Sequence, residues 1–152
     1  MTWYELWLFL HIAGTILWVG GAFAVQAFGI LTQRAADPAQ SAAFGRNVAW
    51  VASRIFMPSS ALVLVTGALL TEEGSWDWTE PFVVLGLLGW VAVAGAGFGY
   101  ITPQMGQLSR RMAAEGPSPE LMGRVGRLVL LGRVLVLVLF VVVFLMVVKL
   151  GT

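Results

Sequence analysis

Residues 128–148 read L-V-L-L-G-R-V-L-V-L-V-L-F-V-V-V-F-L-M-V-V, and this run decides the fold. A single charge, Arg133, interrupts an apolar stretch long enough to cross a hydrocarbon core, which takes roughly 20 helical residues. The run is near-continuous and does not alternate, so it reads as a helix and not as a barrel strand. Working outward, three more stretches of the same kind cover about residues 4–31, 48–70 and 81–101, and the last extends over about 128–150. The expected fold class is all-α: a polytopic membrane protein forming one four-transmembrane-helix bundle over residues 1–152.

Composition supports the same class. The chain is 59% hydrophobic and 11% charged, with a mean hydropathy of +0.86. A soluble domain carries about 25% charged residues, so a water-facing surface cannot be assembled here. The absence of cysteine removes disulfides, thiolate metal sites and cysteine nucleophiles, and one histidine excludes a His-rich metal cage within the chain. A net charge of +1 gives no electrostatic case for nucleic acid. The partner that composition calls for is the lipid bilayer.

The basic residues orient the bundle. Arg34 and Arg46 fall in the first loop, and Arg110, Arg111, Arg124 and Arg127 lie in or bound the third. The second loop, T-E-E-G-S-W-D-W-T-E, contains no basic residue. The positive-inside rule then places loops one and three in the cytoplasm and both termini outside, in a cell membrane, with Lys149 alone opposing. Trp3, Tyr4, Trp7, Trp76 and Trp78 fit interface anchors on the outer side. Residues 1–10 hold Glu5 and no Lys or Arg, so they lack the basic region of a signal peptide, and the first span is expected to remain.

Helix contacts in lipid rest on small and polar residues. His11, Gly14, Trp18 and Gly21 share one face of the first helix and predict a bundle interface. Gly95 and Gly99, in A-G-A-G-F-G-Y, form a small-xxx-small pair expected to pack the third helix. The same letters resemble a phosphate loop, but no strand precedes them and no lysine follows. Pro58 lacks an N–H for the Arg54 carbonyl and predicts a bend, with Ser59, Ser60 or a water satisfying the freed backbone.

Three ionisable residues fall inside the spans: His11, Arg54 and Arg133. Such residues are costly in hydrocarbon and are functional candidates by default. The helical rise places both arginines roughly 9 Å from the cytoplasmic boundary and His11 about 12 Å from the outer one. The plain reading is a packing histidine and two arginines that snorkel to the headgroups. The functional reading is a metal site at His11, either haem iron or copper. Haem fits the depths, with Arg54 or Arg133 near its propionates and Trp18 beside it. Copper would need methionines or another chain to complete the site, and Met57, Met105 and Met146 do not cluster. No catalytic set is visible, since every acid lies at or outside a boundary and His11 is the sole base.

The run L-H-I-A-G-T-I-L-W-V-G-G, Leu10 to Gly21, resembles the opening helix of a group of bacterial membrane proteins. That group includes the CopD copper-resistance domain, the HemJ-type protoporphyrinogen oxidases and the membrane domain of PuuD-type urate oxidases. The likeness continues through R-I-F-M-P-S-S-A-L-V-L-V-T-G-A-L-L and the last helix. It is strongest to small four-helix predicted integral membrane proteins of unknown function. The resemblance implies a four-helix bundle and a haem or metal held near His11. HemJ-type enzymes carry further histidines and an intramembrane lysine that this chain lacks, so their oxidase chemistry is not carried over. Beside a non-enzymatic haem-binding protein stand two alternatives: a small oligomeric transporter or channel subunit, and an assembly subunit docking another membrane protein.

Overall fold

The computed structural model describes residues 2–149; the expected end of the last span at Leu150 lies outside the described residues. Four long helices account for nearly all of them: α1 Trp3–Ala35, α2 Pro38–Glu73, α3 Pro81–Glu115 and α4 Pro119–Val148. No strand occurs among the described residues. Local chemistry starts each helix. Thr2 and Glu5 form a reciprocal capping box on α1. Asp37 caps α2, Ser118 caps α4, and prolines open α2, α3 and α4, where their missing N–H costs nothing.

Two expected loops are helical instead. The first shrinks to residues 36–37, with Ala36 in the left-handed region at φ 51°, and the third to residues 116–118, with Gly116 at φ 81°. Residues 102–115 look polar by composition, yet Met105, Leu108 and Met112 recur at helical spacing and are all buried. Helices of 30 to 36 residues are roughly 45–54 Å long, well beyond the ~30 Å hydrocarbon core. The surplus lies at the end carrying Arg34, Arg46, Arg110, Arg111, Arg124 and Arg127, hereafter the arginine end. The opposite, tryptophan end carries Trp3, Trp7, Trp76 and Trp78.

Each of α1, α2 and α3 contains one π-helical turn, at Ile16–Gly20, Ala52–Phe56 and Gly97–Ile101. Two have an evident cause. Pro58 and Pro103 cannot donate, and one residue before each the pairing slips: the Met57 N–H reaches Ala52 O and the Thr102 N–H reaches Gly97 O. The Thr102 hydroxyl adds a second bond to Gly97 O at 2.9 Å. The proline in α2 is therefore absorbed by a register change. Ser60 donates to Met57 O at 2.9 Å, so it does not repair the Arg54 carbonyl as expected.

A π turn inserts one residue, which rotates the helix beyond it by about 100°. That rotation accompanies an exchange of partners. Toward the tryptophan end α2 packs on α1 and α3 packs on α4; toward the arginine end α2 and α3 pack on each other. The three π turns meet in a mid-bundle layer holding Trp18, Phe56 and Phe98. Trp18 is 5% exposed and stacks on Phe98 with ring centroids 6.3 Å apart. Below it Met105, Leu108, Leu121 and Val129 form a second core, tied by a 2.9 Å bond from Ser109 Oγ to Ala42 O.

The expected glycine contacts divide. A Cβ at Gly14 would lie 3.0 Å from Val63 Cγ2, and one at Gly21 would lie 2.6 Å from Phe56 Cε1, so both permit the close α1–α2 approach. Gly95 and Gly99 do not pack this chain: a Cβ at either would meet nothing within 4 Å. The close approach of α3 to α4 occurs instead at Gly86 under Met146 and Gly89 under Val142. These are nearer the tryptophan end, where α3 faces α4.

Candidate functional site

His11 projects from α1 onto α2. Its Nδ1 lies 3.1 Å from Thr66 Oγ1. The Thr66 hydroxyl donates to the Leu62 carbonyl at 2.6 Å, so its oxygen accepts from His11 Nδ1–H. In the neutral imidazole that leaves Nε2 as an acceptor. Gly67 makes room for the ring, since a Cβ there would stand 3.2 Å from His11 Cε1. Thr66 is 1% exposed, so the bond that orients the histidine is shielded from competing water.

The ring borders a cavity of about 230 Å³ at the tryptophan end, where residues of all four helices converge. Leu8, Val63, Trp90 and Met146 supply apolar wall, and Tyr4 and Lys149 supply polar groups. Trp90 is held in place by a 2.9 Å bond from Nε1 to Ser60 O. Trp76 meets Phe82 edge-on at 5.3 Å, and Lys149 Nζ lies 4.1 Å from the Trp76 ring centroid. In the adjoining turn, Trp78 Nε1 donates to Glu72 at 2.7 Å. There Asp77 accepts from the Thr79 N–H and hydroxyl, which hold its carboxyl below the usual carboxylate range.

The other sequence candidates lie elsewhere. Trp18 sits in the mid-bundle layer and does not line the His11 cavity. The Arg54 side chain is exposed on the outside of α2. Arg133 lies in the groove between α1 and α4, where its Nη2 donates to Gln33 Oε1 at 3.2 Å. His11, Arg54 and Arg133 are therefore not brought together. The His11 cavity is smaller than the ~300–1,000 Å³ of ordinary ligand pockets and has no arginine in its wall. These residues do not fit a haem. Among the described residues no three His, Asp or Glu side chains gather for a metal. Met146 shares the cavity with His11, while Met105 lies in the arginine-end core and Met57 is exposed.

Sequence reasoning missed Thr66, Gly67 and Trp90 as companions of His11, set Met146 aside as unclustered, and missed Gln26 and Gln33 as companions of Arg133. Thr66–Gly67, a polar and a small residue inside the apolar α2, was the available signal. Nothing local marks Trp90 or Met146, which reach the site through helix packing.

The chain belongs to the family described as Predicted integral membrane protein (DUF2269), whose profile matches residues 5–150. No curated protein and no solved structure matches it. Family and fold together make it an integral, multi-pass membrane protein with four candidate spans.

Proposed function

We propose that this family member is a membrane-embedded binding protein. Its ligand is a small, largely apolar molecule carrying a hydrogen-bond donor, held at the tryptophan end against His11. The observation that carries this reading is the committed Nδ1 of His11. With Thr66 using its own proton on Leu62 and taking the imidazole proton, Nε2 is the acceptor available to a guest. The tryptophan and aliphatic wall supplies nonpolar contact, and the single ring nitrogen supplies orientation. Trp18, Phe56, Val93 and Leu139 close the bundle beneath, which favours binding over passage through one chain.

Calorimetric titration with 1-naphthol and naphthalene tests it, because the two probes share a body and differ by one hydroxyl. The naphthol is expected to bind roughly tenfold tighter, the worth of a buried hydrogen bond, and His11→Leu to erase the difference. Equal affinities for the two probes in the wild-type chain would defeat the hydrogen-bond assignment; failure of both to bind would defeat the site.

The arginine end is assigned to the cytoplasm on the positive-inside rule. The cysteine-free chain permits a direct check with Ser75→Cys and Ala114→Cys. An impermeant maleimide applied to intact cells is expected to label the first and spare the second. The reverse pattern would invert the topology.

A further inference from the structure

Among the described residues two buried side-chain polar atoms lack a partner: Gln26 Oε1 and Arg133 Nε. Both belong to the groove between α1 and α4. A Cβ at Gly132 would lie 3.6 Å from Gln26 Oε1, and Arg133 is the next residue. Gln33, about two turns along α1 from Gln26, accepts from Arg133 Nη2 at 3.2 Å. Side chains lean toward the N-terminus of their helix, so Arg133 reaches down α4 toward the arginine end.

The groove thus holds an unused donor on a guanidinium and an unused acceptor on an amide. No carboxylate of the described residues balances the charge. Among the described residues the side-chain ion pairs are Arg111–Glu115 and Arg124–Glu120, and every Asp and Glu stands at a helix end or in a turn. Water could satisfy either orphan atom but would leave the cation unbalanced in a poorly solvating environment. A phosphate group would supply anionic oxygens to the guanidinium fork, while a neighbouring hydroxyl would donate to Gln26.

We propose that the Gln26–Gln33–Arg133 groove binds a hydroxyl-bearing phosphate group, supplied by an anionic lipid headgroup or by free phosphate. The proposal is independent of the His11 cavity, which lies at the other end of the bundle.

Native mass spectrometry from mild detergent tests the lipid source, with phosphatidylglycerol and phosphatidylcholine offered in equal amounts. Inorganic phosphate, titrated calorimetrically in a nonionic detergent, tests the free anion. The wild-type chain is expected to prefer phosphatidylglycerol, or to bind phosphate, by roughly tenfold over Arg133→Gln. Arg54→Gln removes an exposed arginine at similar depth and is expected to change nothing. Gln26→Leu should weaken the anion several-fold, and Arg133→Lys should retain part of the preference, keeping the readout available if Arg133→Gln does not fold. Phosphatidylglycerol retention without phosphate binding identifies a lipid site, and the converse identifies a free-anion site. Absence of both overturns the proposal in favour of water alone. Equal losses in Arg54→Gln and Arg133→Gln overturn it in favour of nonspecific attraction to headgroups.

Discussion

At the arginine end α2 and α3 press together, and Met105, Leu108 and Leu121 are 2–3% exposed. At the tryptophan end the same two helices separate around a cavity of about 230 Å³. The sequences of the two ends do not announce this difference. The arginine end is the more polar in composition, yet it is the better packed, because its apolar residues recur at helical spacing on facing surfaces. The spanning segments of the tryptophan half are mainly apolar, with no hydrophobic force to close them in lipid. Gly67 and Gly86, which receive His11 and Met146, line the cavity there together with the large side chains of Trp76 and Trp90. Hydrophobicity places a helix in the membrane; periodicity and side-chain size decide where two helices touch.

The largest expected effect tests that contrast directly. Leu121→Ala should destabilise the bundle by about 2–5 kcal/mol through cavity creation, whereas Leu8→Ala, at the wall of an existing cavity, should cost less than about 1 kcal/mol. Denaturant titration in mixed micelles reads both, and equal losses would remove the distinction between the two ends.

Next in size is a contrast among glycines. Gly14→Leu should cost about 1–3 kcal/mol by forcing α1 from α2. Gly95→Ala, facing open space, should be neutral or stabilising by up to ~1 kcal/mol. A clear loss at Gly95 would show that another helix covers that face.

A smaller effect is expected from Thr66→Val, which removes the partner of His11 Nδ1: about 0.5–1.5 kcal/mol, together with loss of the naphthol preference. Unchanged preference would mean that Thr66 does not set the tautomer.

The smallest is a pH effect in the turn at the tryptophan end. The Asp77 carboxyl is held low by Thr79, so its contribution is present above the ordinary aspartate range and is lost as pH falls through its lowered value. Acidification should loosen residues 75–80, read by fluorescence of Trp76 and Trp78. Asp77→Asn should abolish the response. An unaltered response in that variant would show that Asp77 is not its source.

The candidate site was legible in part. His11 and Arg133 stood out because an ionisable group inside an apolar run is costly and visible in one dimension. Trp18 stood on the same helical face as His11, yet it serves the layer of π turns, because α1 is 1.5 Å per residue long and a shared face spans both ends of the bundle. Arg54 was equally conspicuous and points outward. The direction of a side chain depends on helix rotation, and rotation here is reset by the π turns at Ala52–Phe56 and Gly97–Ile101.

The sequence by itself determined that this is a four-helix membrane bundle and which residues are costly to bury. Those properties follow from transfer free energies acting along each apolar run. The tertiary structure decided that His11 meets Thr66, that Arg133 meets Gln33 and that Gly95 and Gly99 face away from the bundle. Each of those outcomes depends on which face a helix turns to which neighbour. That choice is made by side-chain volume and register across helices far apart in the chain.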